Sequence, residues 1–351
     1  MQSSNKIKVF LVGKDNVGWS IDSDRKNTIN LFSKSANFEI TRNIFKADIL
    51  YSVWYDILNI SYLFYPLTIL KKLIKFKIFA VITNNVEDTP KKIHRLKKLI
   101  DIWISPNSKT HTFIEKYGLK TIQIPFLIDK DIFLKLGKSK NDLAKILDID
   151  QKKIQGRILI GSFQRDSLGS DLSKPKWQKD PDLLIEIMKK LPKEKFLLIL
   201  AGPRRHYVIN KCREFNIPCL FVGNENPINA NYDDILENNL PPEKINLLYN
   251  LIDAYLVTSK SEGGPKAILE CATTKTLIFS TDVGLAKDIL TEDFIYNREN
   301  LTPLIQKIIE ISGNNDQADS LKEYNYKKAT HVMNSDDIIA QIQKAYKKTI
   351  C

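Results

Sequence analysis

The residues best placed to do chemistry in this chain are two glutamates, Glu262 and Glu270, with Gly263, Gly264 and Pro265 between them. They lie in the run Thr258-Ser259-Lys260-Ser261-Glu262-Gly263-Gly264-Pro265-Lys266-Ala267-Ile268-Leu269-Glu270, which reads as a strand end, a tight turn and a helix start. Glycine has no Cβ, so the turn can bring its backbone close to a ligand. Proline presets the first helical turn, where its missing N–H costs nothing. The free amides of a helix start, with the helix dipole behind them, favour a phosphate group. Two carboxylates would repel that phosphate, but they suit hydroxyl groups on either side of it, ribose on one flank and sugar on the other. Taken alone, Glu262 could merely cap the helix and Glu270 could be solvated. The glycine–proline turn favours the binding role.

Strand–helix alternation must position these groups. Short apolar runs at 6–13, 48–54, 78–83, 102–105 and 121–124 read as strands, separated by helical patterns at about 22–35, 56–75, 90–100 and 108–117. Their near-continuous hydrophobicity suits parallel strands covered on both faces. A polar, lysine-rich stretch at 135–156 reads as the domain junction. A second series follows, with strands at 158–161, 196–202, 219–223, 254–259 and 276–280. Helices are expected at 180–191, 204–215, 241–251 and 265–274, with another starting near Leu285 and a charged helical tail over about 317–349. The expected fold class is therefore α/β, two doubly wound, Rossmann-like domains facing a cleft. The expected domains are 1–140 and 150–325, with the terminal helix of about 330–351 returning to the first.

Glu262 and Glu270, with Gly263 and Pro265 between, resemble the signature of the retaining GT-B glycosyltransferases of group 1, family 4. Leu277–Gly284 is similar to the strand and glycine turn that follow it there, and Leu248–Ala254 to the helix that leads into the preceding strand. The resemblance implies that Glu262 lies near a donor sugar and that Glu270 binds the nucleotide ribose. It also implies a cation after the second domain's first strand and another near the next helix start, which Arg165 and Lys179 match. An arginine can grip phosphate oxygens bidentately, whereas a lysine offers a point charge. Gly263, Gly264, Pro265, Lys266, Gly202 in Ala201-Gly202-Pro203 and, in the first domain, Gly13 complete the expected donor site. Catalytic roles fall to Glu262, Arg165 and Lys179. The family holds its diphosphate without a metal, so no metal and no cofactor is expected. Two departures stand out: the loop 82–88 has no histidine, which family members often place near the acceptor, and Lys275 replaces a usual glycine.

The implied reaction moves a sugar from a nucleotide diphosphate-sugar to an acceptor hydroxyl, with a glycan or lipid-linked acceptor. A nucleotide-sugar epimerase of the same fold, or a non-catalytic glycan- or nucleotide-binding relative, is the alternative. The net charge of +12 is uneven: residues 1–150 carry +10 of it. That suggests an anionic partner for the first half. Pro66–Lys77 and Lys91–Lys98 read either as helices covering the sheet with lysines in water or as a surface for anionic lipid headgroups. No nucleic-acid motif is present. Gly13 and Gly18 make no dinucleotide fingerprint. The four histidines are scattered and read as surface or packing residues. The four cysteines match no zinc or redox spacing. The start of the chain lacks a secretory-signal layout, and no apolar run reaches the roughly 20 residues of a membrane span. The expected location is cytoplasmic, with peripheral contact at the inner face of a membrane.

Overall fold

The computed structural model describes residues 6–14, 20–88, 90–311 and 315–350; Gly18 and Cys351 lie outside them. The chain divides into two compact units, Met1–Asp129 with Glu262–Gly264 and His331–Cys351, and Lys130–Ser261 with Pro265–Thr330.

The first unit is built on six parallel strands: β1 (Ile7–Val12), β2 (Phe38–Ile40), β3 (Ile49–Ser52), β4 (Lys77–Val81), β5 (Ile102–Ser105) and β6 (Thr121–Gln123). Their order is β2-β1-β3-β4-β5-β6. Every residue of the central strands β3 and β5 is buried, whereas the edge strand β6 is half-buried throughout. Successive side chains of a strand face opposite ways, and the core follows that rule. Ile49 and Tyr51 pack with Phe32, Phe38 and, from the helix Ser335–Ile350, Ile338 and Ile342. Leu50, between them, packs on the other face with Ile78, Trp103, Leu67 and Ile93.

The second unit holds five parallel strands: β7 (Ile158–Ser162), β8 (Phe196–Ala201), β9 (Cys219–Val222), β10 (Ala254–Val257) and β11 (Leu277–Ser280). Their order is β11-β10-β7-β8-β9. All six residues of β8 are buried, as their unbroken apolar run requires. The two parallel sheets with flanking helices form the expected α/β two-domain architecture.

Several elements differ from expectation. β2 is a three-residue edge strand, Phe38-Glu39-Ile40, that was not expected. The stretch read as a junction carries two short helices, Lys140–Ile146 and Gln151–Ile154, both within the second unit. Ser139 and Asp142 close a capping box on the first, and the Asp150 side chain caps the second. The tail is two helices, Asn315–Val332 and Ser335–Ile350, because Asn334 accepts from the Asp336 and Asp337 amides and starts a new helix. Helices Asn226–Ala230 and Thr302–Ile311 were not expected at all.

Candidate active site

In the second sheet the chain leaves β7 toward β8 and leaves β10 toward β11, so the direction of winding reverses between the neighbours β7 and β10. Ligands of such sheets bind outside the carboxyl ends of the strands at this switch point. The register pairs Ile160 with Ala254 and Gly161 with Tyr255, which sets Ser162–Arg165 beside Leu256–Ser259.

Side chains and backbone then tie three segments together. Thr258 Oγ1 donates to the Lys179 carbonyl at 2.9 Å, and Gln164 Nε2 donates to Thr258 Oγ1 at 3.2 Å. The Lys260 amide donates to the Gln178 carbonyl at 2.8 Å. Arg165, the residue after Gln164, and Lys179 are thereby fixed on the same framework. Both are half-buried. Gly202 holds φ +87°, and a Cβ there would stand 3.1 Å from the Phe163 carbonyl oxygen, so its expected place near this loop has a steric cause.

Glu270 is linked to the same loop through aromatic rings. Tyr249 Oη donates to Glu270 Oε2 at 2.8 Å, and the Tyr249 and Phe163 ring centroids are 5.3 Å apart. Burial, with Glu270 next, raises the Tyr249 phenol well above its ordinary value, so it stays a donor. Pro265 is the extended cap residue and not the first helical one; the helix is Lys266–Thr273, opening on the half-buried Lys266.

Glu262, Gly263 and Gly264 group with the first unit. There the Asn107 Nδ2 donates to the Gly263 carbonyl at 2.5 Å. Gly263 needs its missing Cβ because a methyl group would collide with the Thr83 carbonyl, within the loop that lacks a histidine. Gly13 ends β1 at φ +107°, where a Cβ would meet the Val53 side chain. It lies at the switch point of the first sheet, between β1 and β3.

The sequence did not single out the buried groups beneath the second-unit loops. Arg205 and Asp166 are fully buried, with Nε 3.1 Å from Oδ2 but not aligned as a hydrogen bond. Arg205 also donates to Ser162 Oγ, at the end of β7, at 3.3 Å. Ser167 Oγ and the Val208 amide donate to Asp166 Oδ1. Burial pushes the Asp166 carboxyl up to about 6, against the downward pull of Arg205. His206 is buried too, with Nε2 3.1 Å from the Tyr232 carbonyl oxygen. Asp180, at left-handed φ, pairs with Lys260 and Arg298. The pair Arg204-Arg205 after Gly202-Pro203 was the available signal, but nothing in it tells which arginine turns inward.

Residues 173–328 match the family model of the glycosyl transferases, group 1. The matched segment contains Lys179, Gly202 and 262–270; it leaves out Arg165 and, of the first unit, everything but Glu262–Gly264. Among solved structures, sucrose-phosphate synthase from Thermosynechococcus elongatus superposes with a TM-score of 0.68 at 12% identity, covering 98% of this chain and 99% of that one. HepE from Anabaena, crystallised with UDP-glucose, gives 0.69 at 13% identity, covering 97% and 99%. A UDP-forming α,α-trehalose-phosphate synthase from Burkholderia vietnamiensis gives 0.61 at 12% identity, covering 84% and 70%. At these identities the likeness is one of fold. No curated protein sequence matches the chain.

Proposed function

We propose that this protein is a glycosyltransferase that moves a sugar from a nucleotide diphosphate-sugar to an acceptor hydroxyl with retained configuration. The observation that carries the reading is the Gln164–Thr258–Lys179 network, which anchors Arg165 and Lys179 on one framework at the second sheet's switch point, partly within the segment that matches group 1. Arg165, Lys179, Lys266 and the Gly263–Pro265 turn hold the diphosphate, and Gly202 shapes the adjoining loop. Glu270, oriented by Tyr249, takes the ribose hydroxyls, and Glu262 orients the donor sugar. The bond from the anomeric carbon to the phosphate oxygen breaks as the bond to the acceptor oxygen forms. The acceptor proton passes to the departing phosphate. The negative charge that gathers on the departing diphosphate is met by these cationic side chains and amides, with no metal required.

The acceptor we infer is a glycan or lipid-linked glycan of the cell surface, made from the cytoplasmic side. The positive balance of residues 1–150 supports an anionic carrier. Among the described residues no helix is long and apolar enough to cross a membrane.

The test is a thermal-shift screen against nucleoside diphosphates and their sugars, followed by turnover of the donor that stabilises most. Arg165→Ala should lower kcat by about 10²- to 10³-fold, the usual effect of removing one preorganised charge contact. If Arg165→Ala and Glu262→Ala both turn the donor over at the native rate, the assignment is wrong.

A further inference from the structure

The helix Ser61–Leu73 has two apolar faces. Leu67 is buried, and Leu63, Phe64, Leu70 and Ile74 pack beside it against the core of the first unit. The opposite face should be polar if the helix only covers the sheet. It carries Tyr62 at 72% exposure, Tyr65 at 62%, Ile69 at 62% and Leu73 at 74%. Their spacing of three, four and four residues aligns them as one stripe along the outward side. Lys72, exposed, flanks it.

The surroundings are basic. Residues 61–98 contain nine Lys and Arg against two carboxylates. The helix Pro90–Leu96 lies alongside, with the Arg95 guanidinium 4.7 Å from the centre of the Phe64 ring. Lys75, Lys91, Arg95, Lys97 and Lys98 are exposed. The neighbouring carboxylates are matched already: Asp56 pairs with Lys92 at 2.7 Å, and Asp101 with Lys71 at 2.8 Å. Glu87 pairs with Lys109 at 3.4 Å, so among the described residues the exposed cations beside the stripe face outward.

We propose that this stripe is a docking surface for an anionic lipid bilayer, in which Tyr62, Tyr65, Ile69 and Leu73 enter the headgroup boundary while the cations around them meet lipid phosphate. Two aromatic side chains with polar tips and two aliphatic ones on a single face suit that boundary, where one end is wet and the other apolar. A protein partner would satisfy the stripe, but a surplus of unmatched cations around it is the complement of an anionic surface. The proposal deepens the inferred membrane-borne acceptor, and its test reads lipid binding and not transfer, so either can fail alone.

The experiment is vesicle co-sedimentation of the full chain, with phosphatidylcholine vesicles compared against phosphatidylcholine–phosphatidylglycerol vesicles at low and high salt. Binding is expected to the anionic vesicles and to weaken with salt. Ile69→Ser with Leu73→Ser should weaken it by at least about tenfold, and Lys72→Gln by a few-fold, of the order of fivefold per cation. Because these side chains are exposed, the variants should keep the native unfolding midpoint and the native shift with the nucleotide that stabilises the protein most. Three results would overturn the proposal. One is absence of binding to either vesicle. Another is equal binding to both that salt does not affect. The third is a concentration-dependent dimer that Ile69→Ser with Leu73→Ser abolishes, which would give the stripe to a second copy.

Discussion

Tyr249→Phe removes one oxygen from the second unit and leaves everything else about that side chain in place. The ring keeps its neighbours, with centroids 5.3 Å from Phe163, 5.5 Å from Tyr255 and 6.2 Å from Phe133. What disappears is the 2.8 Å bond to Glu270 Oε2. A hydrogen bond to a charged acceptor contributes about 1.5–3 kcal/mol, and water can partly replace it on the half-exposed Glu270, which leaves a loss of about 1–2 kcal/mol. For a unit of this size that lowers the unfolding midpoint by roughly 3–6 °C. The effect on ligand is separable from that loss. A carboxylate that has lost this bond is held less firmly and must be ordered further when ribose arrives, at about 0.5–1.5 kcal/mol, or roughly three- to tenfold in Kd. Titration calorimetry should show this weakening for the nucleoside diphosphate that stabilises the protein most, and near-unchanged affinity for its 2′,3′-dideoxy analogue. Equal weakening for both would make Tyr249 a packing residue only. No weakening for either would remove Glu270 from the ribose site.

The Arg205–Asp166 pair gives a second prediction. Arg205→Met should cost about 3–5 kcal/mol in urea unfolding because it strands a buried carboxylate, and adding Asp166→Asn should recover much of it. The same carboxyl gives a pH signature. Its folded value of about 6 lies above the ordinary 3.8, so the native state holds the proton more tightly and this residue's contribution declines as pH rises from about 4 through 6. The decline is on the order of 3 kcal/mol. Stability curves of wild type and Asp166→Asn should diverge across that window, and parallel curves would refute it. Gly202→Ala forces a side chain into φ +87° against the Phe163 carbonyl; it should cost about 1–2 kcal/mol and reduce turnover through the Arg165 loop. Lys275 sits at φ +54°, yet it pairs with Glu323 at 2.6 Å and lies 4.6 Å from the Tyr326 ring centre. Lys275→Gly relieves the backbone and loses those contacts, so its thermal midpoint should shift little, whereas Lys275→Ala, which loses the contacts and keeps the strain, should fall by about 1 kcal/mol.

Which parts of this protein can be read along the chain follows from how local their causes are. Among the described residues, ten of the eleven strands fall where strands were expected, most of them because a parallel strand covered on both faces must be apolar nearly throughout. β2, Phe38-Glu39-Ile40, was not expected: Glu39 interrupts its two apolar residues. The break at Asn334 and the capping box at Ser139 are written locally in side chains that accept from amides two or three residues on. They were missed because charge masked them.

The residue types around 258–270 and the order of strands and helices along the chain are properties of the sequence itself. Sheet order is not, since β10 pairs with β7 across nearly a hundred residues, and only that pairing creates the switch point beside Arg165. The inward turn of Arg205, the donor that Tyr249 offers to Glu270 and the outward stripe of the Ser61–Leu73 helix were likewise decided in three dimensions. Burial is a property of neighbours brought from elsewhere in the chain, and an apolar residue at helical spacing looks the same whether the core or water lies against it.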